Sequence, residues 1–77
     1  MEKSYRVIKE GNKKYILASQ VPDYAKEHFK TVFGIPSYRT LRLYVQKGVL
    51  PKPKKIGRES FLELQVVLNF IELWGGH

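Results

Sequence analysis

The sequence has no cysteine, so neither a disulfide nor a thiolate-held metal contributes to this chain. It has only two histidines, His28 and His77. His28 lies at core spacing and His77 is the terminal residue. There is no His/Asp/Glu spacing for a metal and no glycine-rich loop leading into a helix. Glu59 and Glu63 are the nearest approach to paired carboxylates, and without a pocket they read as solvated. The expectation is a chain with no catalytic residue, no metal and no cofactor. No apolar run approaches the ~18 residues of a membrane span. Met1-Glu2-Lys3-Ser4-Tyr5 opens no apolar leader. A cytoplasmic location and no membrane contact are therefore expected. Internal repeats and low-complexity segments are also lacking.

Acidic residues are missing where basic ones concentrate. The formal charge is +7, from 14 Lys and Arg against 7 Asp and Glu. Residues 28–58 hold Lys30, Arg39, Arg42, Lys47, Lys52, Lys54, Lys55 and Arg58 and not one acid, whereas residues 59–77 hold three acids and no Lys or Arg. A surface charged only for solubility mixes the signs, and this segregation points to a polyanion-facing surface. A merely solvated basic face is the plain alternative.

With 77 residues, 43% of them hydrophobic, the chain suits one globular domain with one modest core and no deep cleft. Residues 5–9 and 14–18 read as two short strands. Gly11-Asn12 forms the two-residue loop between them, because glycine accepts the positive φ such a turn needs. A first helix starts near Ser19 or Asp23, either able to cap it, with Pro22 tolerated in the first turn. Tyr24, Ala25, His28, Phe29, Val32 and Phe33 recur at helical spacing, and Gly34 closes the segment.

The second helix begins at the N-cap Ser37, after Pro36 has disfavoured an earlier start. It runs from Tyr38 to Lys47 and stops at Gly48. At 100° per residue, Tyr38, Leu41, Tyr44, Val45 and Gly48 share an inner side. Arg39, Arg42, Leu43 and Gln46 share another, and arginine and glutamine are residue types that read base edges and phosphates.

Two prolines and a glycine exclude a helix from Pro51-Lys52-Pro53-Lys54-Lys55-Ile56-Gly57-Arg58. A basic hairpin or extended loop turning near Gly57 fits, with Glu59-Ser60-Phe61 returning to the body. Between Phe61 and Trp74 only Glu63, Gln65, Asn69 and Glu72 are polar. A helix over 62–74 apolar on more than one face is buried on more than one face. In so small a domain that implies a second copy of the chain, or another segment, packed on Val66, Val67, Phe70, Leu73 and Trp74.

The stretch from Ile35 to Pro51 resembles the recognition-helix region of the MerR-type regulators, which show a small-residue turn, Thr-Leu-Arg, one or two aromatics, Gly-Leu-Leu-Pro and a basic wing. Thr40-Leu41-Arg42, Tyr44, Gly48-Val49-Leu50-Pro51 and Arg58 fall on matching positions. The small excisionases of phages and mobile elements are similar over the same region. The likeness extends over residues 15–71 and is specific around 37–51. It implies DNA contact for Arg42 and Tyr44. Leu43 departs from a position that is often aromatic, and the first helix is longer before Gly34 than is usual. The N-terminal hairpin is an addition, and neither a long coiled-coil helix nor an effector domain follows residue 74. The chain is thus expected to be a regulator's DNA-binding domain or a stand-alone factor nearer the excisionases.

The resulting expectation is a mainly α fold with small β, a winged helix-turn-helix of three helices, an N-terminal β-hairpin and a short β wing. As one domain over 1–77 it divides into a hairpin (1–18), helix-turn-helix (19–50), wing (51–61) and C-terminal helix (62–74). Its partner is double-stranded DNA, bound through Ser37, Tyr38, Arg39, Arg42, Tyr44, Gln46, Lys52, Lys54, Lys55 and Arg58. The reading as a transcription regulator stands beside an excisionase-like or plasmid-maintenance role. From another class stands a protein-interaction module using the apolar last helix, with the basic face incidental or membrane-proximal. Stacking of unpaired bases on Tyr5, Tyr15, Tyr24, Tyr38 and Tyr44 is disfavoured, since at least three of them sit at core-like spacing.

Overall fold

A computed structural model describes residues 4–75. The chain forms β1 (Val7–Glu10), β2 (Lys13–Leu17), a single 3-10 turn (Ala18–Gln20), α1 (Val21–Phe29), α2 (Tyr38–Gln46), β3 (Lys54–Ile56), β4 (Glu59–Glu63) and α3 (Leu64–Gly75). Both hairpins turn on a glycine with positive φ at the first loop position, Gly11 (62°) and Gly57 (62°). That position is where a type II′ turn requires one.

The expected mainly α fold is corrected to a mixed α/β one. The two hairpins form one antiparallel sheet in the order β1-β2-β4-β3. The junction is β2 against β4, with Tyr15 opposite Glu63, Ile16 opposite Leu62 and Leu17 opposite Phe61. This long-range pairing also corrects the last helix. Leu62 and Glu63 continue the strand that includes Phe61, and α3 starts at Leu64. A continuous apolar run does not distinguish a buried strand from a buried helix, and here it contains the end of one and the start of the other.

Strand alternation gives the sheet two different faces. Ile16 and Leu62 face the helices and join Ala18, Val21, Ala25, Leu41, Leu50, Val67 and Ile71 in the main core. Phe61, only 2% exposed, belongs to the opposite face and lies outside that cluster. There it sits between Leu17 and Lys54, its partners on the two neighbouring strands. Arg6 places its guanidinium over the Phe61 ring, 5.8 Å from the centroid.

The first helix is shorter than its apolar stripe suggests. It ends at Phe29, and Lys30 takes a left-handed conformation (φ 55°) while the Thr31 amide bonds the Lys26 carbonyl at 3.1 Å. Thr31 and Val32 are consecutive β-branched residues, weak in a helix. Val32 and Phe33 are left exposed. Neither Ser19 nor Asp23 caps the helix, since Ser19 falls in the 3-10 turn and Asp23 in the first helical turn. His28 is exposed rather than in the core, its ring stacked on Tyr24 and edge-on to Phe29. Tyr5 packs edge-on against Tyr24, 5.2 Å between centroids, and its hydroxyl is buried. Burial, with the neighbouring Glu27 carboxylate second, pushes the Tyr5 phenol up to about 12. Among the described residues, no helix is long and apolar enough to cross a membrane.

Candidate nucleic-acid interface

The N-terminus of α2 is capped as its sequence suggests. Ser37 is extended (ψ 166°), and its Oγ accepts the Thr40 amide at 3.2 Å. Leu41, fully buried, anchors the helix to the core, and half-buried Val45 supports it. The helix ends at Gln46, with Lys47 as its C-cap and Gly48 at φ 81°. With Leu41 turned inward, Arg39, Arg42, Leu43 and Gln46 line a shallow open surface on the outside.

A groove separates α2 from the β3–β4 hairpin. Tyr38, Arg42 and Gln46 line it from the helix, and Pro53, Lys55 and Ser60 from the hairpin. The buried Ala18, Leu41 and Leu62 lie beneath. The Arg42 guanidinium stands 5.9 Å from the Tyr38 ring centroid, within cation–π range. Tyr38 is therefore partly exposed rather than an inward-facing residue. At the hairpin tip, Arg58 lines an adjoining recess with Tyr38, Ser19 and Ser60.

The electrostatics follow from where the acids go. Among the described residues, no carboxylate lines the groove or the outer face of α2. Glu59 borders the adjoining recess but is ion-paired to Arg6. Glu63 pairs with Lys13 at 3.8 Å, and Glu10 pairs with Lys54. Among the described residues, none of these ion pairs uses Arg39, Arg42, Lys55 or Arg58. Four cations thus surround α2 without taking part in the ion pairs that neutralise the sheet's acids.

The ten sequence-predicted residues separate into groups. Tyr38, Arg39, Arg42, Gln46, Lys55 and Arg58 come together around α2, with Ser37 capping its start. Lys52 is exposed in the connection between α2 and β3. Lys54 lies on the other face of the sheet, opposite Phe61, with its ammonium 5.6 Å from the Tyr15 ring centroid. Tyr44 is wedged between helices, 5.1 Å from the Phe70 ring and 5.4 Å from that of Trp74, with the Lys47 ammonium 5.2 Å from its own. Pro53 and Ser60 were not foreseen as groove walls. Ser60 was within reach of the sequence, since a two-residue loop at Gly57-Arg58 sets Lys55 opposite Ser60. In α3, Val67 is a core residue, Val66 and Phe70 are half-buried, and Leu73 and Trp74 are exposed. Among the described residues, no group of three or more His, Asp or Glu side chains could hold a metal ion.

The chain matches no protein-family model, and no curated protein or solved structure shows significant similarity to it.

Proposed function

We propose that this chain binds duplex DNA as a winged helix-turn-helix, in the cytoplasm, with α2 in the major groove and the β3–β4 hairpin as the wing against the flanking backbone. The observation that carries this reading is the cationic surface around α2, free of acids among the described residues, while the sheet's acids are ion-paired to other cations. The major groove, about 12 Å wide, admits an α-helix, and arginine and glutamine make bidentate contacts to guanine and adenine there. Arg39, Arg42 and Gln46 are then the base-reading candidates, and Lys55 and Arg58 the phosphate contacts. The resemblance to MerR-type regulators and excisionases supports the same orientation. Within it stand two biological readings, transcription control and recombination or plasmid maintenance.

The test is fluorescence anisotropy on duplex DNA across a salt series. Four phosphates neutralised would give a log–log slope of about −3.6. Lys55→Ala should lessen the slope by about 0.9, and Arg42→Ala should cost about 1–3 kcal/mol on a selected site. Absence of binding even at low salt overturns the proposal.

A second reading, association through α3, draws on the exposure of Leu73 (86%) and Trp74 (44%). A homodimer of this kind would suit a two-fold DNA site. Sedimentation of the wild type against Leu73→Lys tests it, a monomer at all concentrations being the refuting result.

A further inference from the structure

Lys54 and Lys55 are neighbours with opposite surroundings. Alternation along β3 sends Lys55 into the α2 groove and Lys54 to the Phe61 face. On that face Lys54 pairs with Glu10. Glu10 is the last residue of β1, and β1 and β3 are the two outer strands of the sheet. In a flat sheet three strand spacings separate such edges by about 14 Å, and the register sets Glu10 about 13 Å further along the strands from the level of Lys54. The ion pair closes that distance because the sheet curls around Phe61 and Tyr15, and Lys54 spans the Tyr15 ring on the way. β3 has three residues, and among the described residues it pairs only with β4 and its other edge carries no strand. Beyond β4, Lys54 ties it to the Glu10 carboxylate and the Tyr15 ring. Arg6, just before β1, works alongside by pairing Glu59 at the base of the hairpin turn.

We infer that Glu10 is a positioning residue for the DNA-contacting hairpin: by holding Lys54 across the curled sheet, it fixes Lys55 toward α2. The inference rests on the proposed DNA-binding reading, and it gives the N-terminal hairpin a role in recognition without contact to DNA. It makes a prediction whose sign is opposite to that of net charge. Removing an acid from a cationic DNA-binding protein ordinarily strengthens binding. Removing Glu10 weakens it, because the hairpin loses its orientation.

The experiment is a double-mutant cycle on the full chain with Glu10→Gln, Lys54→Met and the double variant. Methionine preserves packing on Tyr15 without the charge. Each single variant should weaken binding to a random-sequence duplex about 2–5-fold, the range an ion pair of this exposure supports. The double variant should bind no worse than Lys54→Met, and the salt slope should stay at the wild-type value. Tighter or unchanged binding by Glu10→Gln overturns the inference. So does a slope lessened by about 0.9 in Lys54→Met, which would make Lys54 a phosphate contact instead. Amide exchange over residues 54–56 separates this outcome from failure of the DNA reading itself. Faster exchange in both single variants supports the tether even if the wild type binds no DNA, and unchanged exchange refutes it.

Discussion

Replacing Phe61 tests whether the outer face of the sheet is a second small core. The ring is only 2% exposed, yet it lies apart from the cluster beneath the helices. A phenylalanine buries about 150–250 Å², worth about 4–6 kcal/mol at about 25 cal/mol per Å². Alanine keeps part of that and leaves a cavity, so Phe61→Ala should cost about 3–5 kcal/mol. A domain of 77 residues has about 4–12 kcal/mol in all, which puts this variant near the limit of folding. Phe61→Leu, at about 1–2 kcal/mol, keeps the test available if the alanine variant fails to fold. Val7→Ala, at a position 41% exposed, serves as the control and should stay within about 0.5 kcal/mol. Urea melts followed by far-UV circular dichroism and by the single tryptophan, Trp74, give the values. A loss below about 1 kcal/mol for Phe61→Ala would refute the reasoning and make the ring a surface residue capped by ion pairs.

Lys30 is the one non-glycine with positive φ among the described residues. Lys30→Gly should therefore stabilise the domain by about 1 kcal/mol in the same urea melts. Ser37→Ala removes the acceptor of the Thr40 amide, so it should cost about 0.5–2 kcal/mol in those melts and weaken DNA binding in anisotropy. Tyr5 has a phenol raised in the folded state to about 12, above its ordinary value of 10.0. The contribution of its neutral form is complete below pH 10 and is lost as pH rises through the folded value. Tyr5→Phe should thus unfold less steeply than wild type between pH 10 and 12, and in a thermal-melt series parallel curves would refute the assignment.

Local chemistry made much of the architecture legible in advance. Ser37 after Pro36 marks a helix start, Gly48 marks its end, and Gly11-Asn12 and Gly57-Arg58 mark hairpin turns, because each signal acts within a few residues of backbone. Helical spacing likewise grouped Arg39, Arg42 and Gln46 on one face. Other features depended on partners distant in sequence. The pairing of β2 with β4 claimed Phe61 and Leu62 for a strand, although their apolar neighbours continue into α3. The stop at Lys30 left Val32 and Phe33 outside the core, although their spacing continues the helical stripe. The opposed environments of Lys54 and Lys55 follow from register and curl, which two adjacent lysines in a basic run do not encode. The cap and end of α2 and the two hairpin turns are set by the sequence alone because they need only near neighbours, whereas the start of α1, which neither Ser19 nor Asp23 caps, is not. Tertiary structure decided which cations are ion-paired, because partners as distant in sequence as Glu10 and Lys54 must first be brought across the sheet.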